Sequence, residues 1–229
     1  MKISIKPEVF EKFNKNLKIA FIKVEQVDNQ IKVAEARHLL QEVEKLVRLN
    51  FHKKQIKDNS FIEPWALAQL EFGGKAHHYH TSVERLLKTV LSGKTVAKTD
   101  TIDNILHYIA LKYVVPVSVD DFHKIEGDLT FDVVKSAGKK GLLKSLKRGE
   151  LYYHDAKGIL GTQVDYWKNK RTEVSRDSDA NLIHLTALPP VTTSDLKKIA
   201  QESASMIEAF CSAKTQLFIL SRRERSIKI

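Results

Sequence analysis

The chain has 229 residues, which is long enough for one large domain with a substantial buried core. Its hydrophobic content of 42% and charged content of 29% are those of an ordinary soluble globular protein. No apolar run approaches the roughly 20 residues that span a bilayer, and the N-terminus lacks the apolar core of a signal peptide. We therefore expect a cytoplasmic protein that makes no membrane contact. The single cysteine, Cys211, excludes an internal disulfide and falls on an apolar helical face, where a buried, inert thiol is expected.

The chain is strongly basic, with a formal net charge of +10. A basic excess favours polyanionic partners, because each phosphate that a cation neutralises releases condensed counterions. A lysine-rich composition alone produces the same excess, and solvated loops would carry it equally well. The nucleic-acid-binding candidates form two runs: Lys135, Lys139, Lys140, Lys144, Lys147 and Arg148, and then Lys168, Lys170 and Arg171.

The first third of the chain predicts two strands followed by helices. Residues 2–27 read as two strands separated by a polar spacer. Residues 29–55 place apolar side chains at helical spacing opposite Lys and Glu, which predicts an amphipathic helix packed on the core. A short segment over 65–72 has the composition of a further helix.

Two helices in the middle of the chain have clear boundaries. Thr81 and Glu84 stand at the spacing of a capping box, and Gly93 follows the last apolar position of that helix. The next helix covers 101–113 and should end before Pro116, because proline excludes the preceding residue from the α region.

The second half alternates in strand fashion over 129–134, 150–167 and 182–188, the last of which we expect to be the final strand. Thr192 or Thr193 should cap a C-terminal helix. The basic tail over 221–229 is expected to be frayed.

Strands at both ends and in the middle, without βαβ alternation, favour an α+β fold with a mixed or antiparallel sheet and packed helices. We divide the chain into an N-terminal strand-strand-helix portion over 1–74 that belongs to the same domain, a core over 75–212, and a basic C-terminal extension over 213–229. The oligomeric state is left open.

The segment after Pro116 is the densest in proton-handling groups. Ser118, Asp120 and Asp121 suggest a nucleophile or base cluster, but no catalytic spacing is met, and a hydroxyl triad would need His107 or His184. Such residues also form ordinary turns, in which an aspartate caps local backbone N–H groups. Turn chemistry, pocket lining and direct catalysis therefore all stay open for this segment.

The same segment carries a family resemblance. The order Pro116 to Asp121 followed by Lys124 to Gly127 resembles the B3/B4 domain of the phenylalanyl-tRNA synthetase β-subunit, which clears tyrosine wrongly attached to that tRNA. The flanking segments resemble stand-alone B3/B4-domain proteins over roughly residues 75–210. The resemblance implies a B3/B4 editing-domain-like fold with a pocket that hydrolyses the ester of misacylated tRNA.

Two pocket groups of the family differ in this chain. The histidine after the proline is Ser118, and the glutamate at the end of the last strand falls at His184 or Leu185. The catalytic candidates are therefore Ser118, Asp121 and His184. The candidate pocket residues are Asn104, His107, Ser118, Asp120, Trp167, Arg171, Thr172 and His184.

The leading hypothesis is a tRNA-binding or aminoacyl-tRNA-binding relative of the editing domain, which would hydrolyse mischarged aminoacyl-tRNA in trans if it is an enzyme. The alternatives are a non-catalytic protein that binds an amino acid or another small metabolite, and an RNA-binding module without hydrolysis. His77, His78 and His80 have no Cys or carboxylate at ligand spacing, so we expect no metal and no cofactor. Trp167 suits either the core or the stacking of an unpaired base.

Overall fold

The computed structural model describes residues 1–70, 80–135, 146, 148–162 and 164–229. The helices in these ranges are α1 (Pro7–Lys12), α2 (Val33–Asn50), α3 (Glu63–Leu70), α4 (Ser82–Leu91), α5 (Thr101–Tyr113) and α6 (Thr193–Cys211). The strands are β1 (Lys2–Ile5), β2 (Lys18–Glu25), β3 (Val117–Asp121), β4 (Leu129–Val133), β5 (Leu151–His154), β6 (Ile159–Thr162), β7 (Trp167–Lys168), β8 (Ala180–Ala187), β9 (Lys214–Leu220) and β10 (Ser226–Lys228).

The strands form two sheets. The larger sheet has the order β10-β1-β4-β5-β6-β7; β1 and β4 run parallel, and the other neighbours are antiparallel. The smaller sheet is antiparallel, with the order β3-β8-β2-β9. The predicted α+β class, with mixed and antiparallel sheets and packed helices, is confirmed. Strands from all three predicted segments share these sheets, and the division at 74/75 and 212/213 stays a prediction.

The alternation of side chains along β2 explains how the layers stack. Phe21 faces the larger sheet and packs against Phe131, with ring centroids 5.6 Å apart. Ile22, one residue later, faces the opposite side and joins Ile105 of α5 in a second core. A third core lies among α2, α4 and α5. The smaller sheet is therefore buried on both faces, between the larger sheet and the helices.

The predicted starts of α4, α5 and α6 are confirmed, whereas the helix predicted over 29–55 is the shorter α2. The hydroxyl of Thr81 accepts from the backbone N–H of Glu84, and Thr192 forms a complete capping box with Asp195. Gly93 takes the left-handed angle, φ 84°, that ends a helix without steric cost. Cys211 is buried as predicted, and burial raises the pKa of its thiol to about 12.

Two expectations about strands were wrong, and one strand was not predicted. The segment 117–121, for which turn chemistry was left open, is the strand β3, in which Val119 packs into the helical core while its neighbours face the other sheet. β8 is not the final strand, since β9 and β10 follow it. The tail is not frayed at 226–228, because β10 pairs with β1 and completes that edge of the larger sheet.

Candidate ligand-binding cleft

A cleft of about 460 Å³ opens where the edge strands β3 and β7 of the two sheets approach each other beneath α4 and α5. Its volume lies within the range of small-molecule sites. The lining of the cleft includes the side chains of Arg85, Lys98, Asp103, His107, Ser118, Asp165, Tyr166, Trp167, Lys168, Lys170 and Glu173.

The floor of the cleft is an ion pair that joins the two sheets. The ammonium of Lys168 on β7 lies 3.1 Å from Asp120 Oδ1 and donates to Ser118 Oγ at 3.1 Å and to a backbone carbonyl of β3. Asp120 is fully buried and also accepts from the hydroxyls of Tyr153, at 3.1 Å, and Thr172, at 2.5 Å. A buried carboxylate needs such a set of donors, because an uncompensated charge in the interior is costly.

His184 lies behind this floor, in the layer between the sheets. Alternation along β8 turns it away from Ile183, Leu185 and the helices, but that face is covered by the larger sheet and the ring is only 1% exposed. Its Nε2 lies 2.7 Å from Asp165 Oδ2, and its ring meets Tyr153 edge-on with centroids 4.9 Å apart. Burial by itself would raise the pKa of Asp165, but the adjacent His184 ring holds it below the ordinary value. His184 therefore belongs to a buried pair and does not line the cleft.

The three catalytic candidates are not brought together. Ser118 and His184 stand opposite each other in the β3–β8 register and so share a face, yet Ser118 bonds to Lys168 and His184 to Asp165. In the described ranges no hydrogen bond joins the two. Asp121 lies outside the cleft, where it accepts from Ser178 Oγ at 2.6 Å and from a backbone N–H of the turn that follows, as capping chemistry predicts. The geometry does not form a nucleophile and base pair from these residues.

Of the two predicted pocket residues on α5, His107 lies in the cleft and Asn104 does not. His107 lines the cleft, with Nδ1 2.8 Å from the carbonyl oxygen of Val96, and burial lowers the pKa of its ring to about 4. Asn104 lies away from the cleft, where its amide bonds the backbone of Lys98 and Asp100 and holds the loop before the helix.

Arg171, another predicted pocket residue, does not line the cleft and instead joins two segments of the protein. Its guanidinium contacts both oxygens of Asp155 at 2.7 Å and donates to the carbonyl of Lys124 at 2.7 Å. Burial would raise the pKa of Asp155, but Arg171 and backbone donors hold it below the ordinary value. Asp155 in turn accepts from the backbone of the β5–β6 turn. The cation is therefore committed within the protein.

Replacing Arg171 with lysine should lower the free energy of unfolding by about 1–2 kcal/mol, because an ammonium cannot reproduce the fork to the carboxylate and the carbonyl. Urea unfolding at pH 7 measures this loss. Ligand affinity in the cleft should stay unchanged. A variant with normal stability and weakened RNA binding would show that Arg171 faces RNA instead.

The mouth of the cleft carries two exposed aromatic residues. Tyr166 lies between Arg85, 5.4 Å from its ring centroid, and His80, whose ring centroid is 5.5 Å away. Trp167 is 38% exposed, and no ring or cation of the described residues stacks on its indole. Of the two interpretations open for Trp167, the structure supports an exposed position rather than one in the core.

The basic candidates are only partly described. Lys170 is exposed on the lining of the cleft, Arg148 is exposed elsewhere, and Lys135 pairs with Glu8 at 2.6 Å. The candidates that lie outside the described residues are Lys139, Lys140, Lys144 and Lys147, together with His77 and His78.

Sequence reasoning missed Asp165, Asp103 and the inward direction of Lys168. Val164 and Asp165 take left-handed angles, φ 51° and 62°, which place the Asp165 carboxylate against His184. No glycine signals this turn, and left-handed angles are uncommon for a β-branched residue such as valine. The inward direction of Lys168 could have been predicted from strand alternation, because successive residues of a strand face opposite sides and its neighbour Trp167 is exposed.

The described ranges contain neither a metal-binding cluster nor a membrane-spanning helix. No group of three or more His, Cys, Asp or Glu side chains there is arranged to hold a metal ion. None of the helices there is both long enough and apolar enough to cross a bilayer.

Comparison with known proteins gives a weak likeness in fold. No family model and no curated protein matches the chain. Among solved structures, the chain is similar to an N-terminal fragment of the phenylalanyl-tRNA synthetase β-subunit from Pyrococcus horikoshii, with 11% identity and a TM-score of 0.47. The match covers 93% of this chain and 49% of that fragment, so the chain spans about half its length. The identification of a B3/B4 domain stays a prediction.

Proposed function

We propose that this protein binds the 3′ end of an aminoacylated tRNA, with the terminal nucleotide and its aminoacyl group in the cleft. The observation that carries this proposal is an exposed, unstacked indole, Trp167, at the mouth of a polar cleft lined by cations. Bases of single-stranded RNA are recognised by stacking on such aromatic faces, next to side chains that neutralise the backbone.

The charges around the cleft suit a phosphate backbone. Arg85, Lys98 and Lys170 line the cleft, and none of them has a carboxylate partner among the described side chains. Lys168 is different, because Asp120 already neutralises it. Arg85 donates to the backbone carbonyl of Tyr166 at 2.8 Å but keeps its charge. Three cations without a carboxylate partner at one opening attract phosphates and explain how a net charge of +10 could act locally.

The resemblance of the segment from Pro116 to Gly127 to the B3/B4 domain supports the same ligand. Hydrolysis in trans is the finer part of the proposal. It would require a base beside the ester and a donor for the oxyanion. His107 lines the cleft, whereas His184 is enclosed and Lys168 is already neutralised by Asp120. A deacylation assay should therefore replace His107 before His184.

A second candidate is a protein that binds a free amino acid. It is favoured because acceptors, Asp103 and His107, and cations, Arg85 and Lys170, line the same cleft, which suits a zwitterion. Such a ligand would raise the melting temperature of the protein, and tRNA would not compete with it.

Binding of end-labelled tRNA with and without its 3′-terminal CCA tests the proposal. We expect removal of these three nucleotides to weaken binding at least tenfold, because the stacked end is lost. Affinity should also fall steeply with added salt. Equal binding of intact and trimmed tRNA would overturn the assignment of the cleft to the 3′ end.

A matched pair of charge reversals locates the interface. Lys170→Glu, at the cleft, should weaken tRNA binding, whereas Lys197→Glu, on the exposed side of α6, should leave it unchanged. Both variants change the net charge by the same amount, so equal effects would indicate general attraction rather than binding at the cleft.

A further inference from the structure

Asp103 and His107 lie one helical turn apart on α5, and both line the cleft. Residues four apart share a helix face, so the two side chains present their polar atoms to the same part of the cavity. Their wall lies opposite β7, which carries Lys168 and Trp167.

Asp103 is a carboxylate without a partner. Its side chain has no hydrogen bond or ion pair with any described residue, although its backbone N–H bonds to Asp100. Burial raises the pKa of Asp103. The positive charges of Lys98 and Lys168 lower this pKa, and the negative charge of Glu173 raises it further. An unpaired, half-buried carboxylate costs stability, which is typical of a group that is kept for a ligand.

His107 supplies a second acceptor. The carbonyl of Val96 can only accept a hydrogen bond, so Nδ1 of His107 carries the proton and donates to it. Because burial lowers the pKa of the ring to about 4, the ring is neutral at pH 7. Its Nε2 therefore has a free lone pair, and no described residue donates to it.

We infer that Asp103 and His107 form a subsite for a primary ammonium group, namely the α-amino group of the aminoacyl ligand. This inference rests on the proposed function, since it names the group of that ligand that the cleft recognises. An ammonium offers three N–H donors and a positive charge, which match one carboxylate and one neutral imidazole acceptor.

The same pair disfavours other ligand groups. A phosphate or a carboxylate would be repelled by Asp103 and would find no donor on His107. Anionic groups would instead meet Arg85 and Lys170, which line the same cleft. An aminoacyl nucleotide would then lie with its amino group at α5 and its base toward Trp167.

Calorimetric titration with two probes tests the inference on the full chain. The first probe is 3′-(L-tyrosylamino)-3′-deoxyadenosine, a non-hydrolysable mimic of a charged tRNA end, and the second is its N-acetyl derivative. At pH 6.5 the free α-amino group is largely protonated. We expect the first probe to bind at least tenfold more tightly. Its affinity should fall at lower pH, because protons compete with the ammonium for Asp103.

Two variants assign the preference to the subsite. Asp103→Asn should remove it while raising the melting temperature at pH 7. The sign follows from the raised pKa: the folded state favours the protonated form, which asparagine mimics. Asp177→Asn, an exposed control with the same charge change, should keep the preference.

The outcomes separate the two proposals. Equal affinity for both probes, or an unchanged preference in a folded Asp103→Asn protein, overturns the ammonium subsite and leaves the proposed function standing. No binding of either probe overturns both, since no aminoacyl end is then held in the cleft.

Discussion

Replacing His184 with alanine is expected to lower the free energy of unfolding at pH 7 by about 3–5 kcal/mol, the cost of leaving the buried carboxylate of Asp165 without its hydrogen-bond partner. The imidazole is 1% exposed, lies 2.7 Å from Asp165 and packs edge-on against the rings of Phe131 and Tyr153. Its loss leaves both a cavity and an unpaired carboxylate. Urea denaturation followed by circular dichroism measures the change.

The pH dependence identifies the cause. Because the pKa of Asp165 is lowered in the folded protein, its contribution to stability is present above its unfolded pKa and is lost as the pH falls. In His184→Ala the carboxylate loses its partner, so the deficit should shrink toward acid pH as Asp165 takes up a proton. A deficit that is constant with pH would instead indicate packing alone.

Two further substitutions serve as controls for His184→Ala. His184→Gln can still donate to Asp165 and should recover part of the stability. His123→Ala removes a histidine whose pair with Asp179 is exposed, with side chains 66% and 72% accessible, and should change stability by less than about 1 kcal/mol. If His184→Ala unfolded at the wild-type urea concentration, the structural role of the buried pair would be contradicted.

Replacing Trp167 with alanine is expected to weaken binding of intact tRNA by about 10–100-fold, because base stacking on an aromatic side chain contributes about 1–3 kcal/mol. The indole is exposed and is not stacked within the described structure, so the change should not disturb the core. Fluorescence anisotropy at fixed salt measures the affinity. Trp167→Phe keeps an aromatic face and should bind within a few-fold of wild type.

The specificity of this loss depends on the tRNA end. On tRNA trimmed of its CCA, Trp167→Ala and wild type should bind equally, since the stacked base is absent from both complexes. Phe61→Ala removes an aromatic side chain of the same 38% exposure outside the cleft and should have no effect. Equal loss on intact and trimmed tRNA would place Trp167 on the duplex part of the interface rather than at the 3′ end.

Local signals predicted the helices well. The hydroxyl of Thr81, the capping box at Thr192 and the terminating Gly93 each act within one turn of chain, so their effect can be read without knowing the fold. β3 was not predicted, because its polar residues, Ser118 and Asp120, are also typical of turns. They are tolerated inside the molecule because Lys168, Tyr153 and Thr172 satisfy them from elements distant in sequence.

The sequence by itself determined the α+β class, the basic charge and the starts of α4, α5 and α6. The tertiary structure alone decided that the face of β8 that carries His184 is closed by a second sheet, that Arg171 is held by Asp155 and that Asp103 is unpaired. The physical reason is the distance along the chain over which each interaction acts. Propensity and capping act between neighbours in the chain, whereas the burial and pairing of a charge depend on which distant strands and helices cover it.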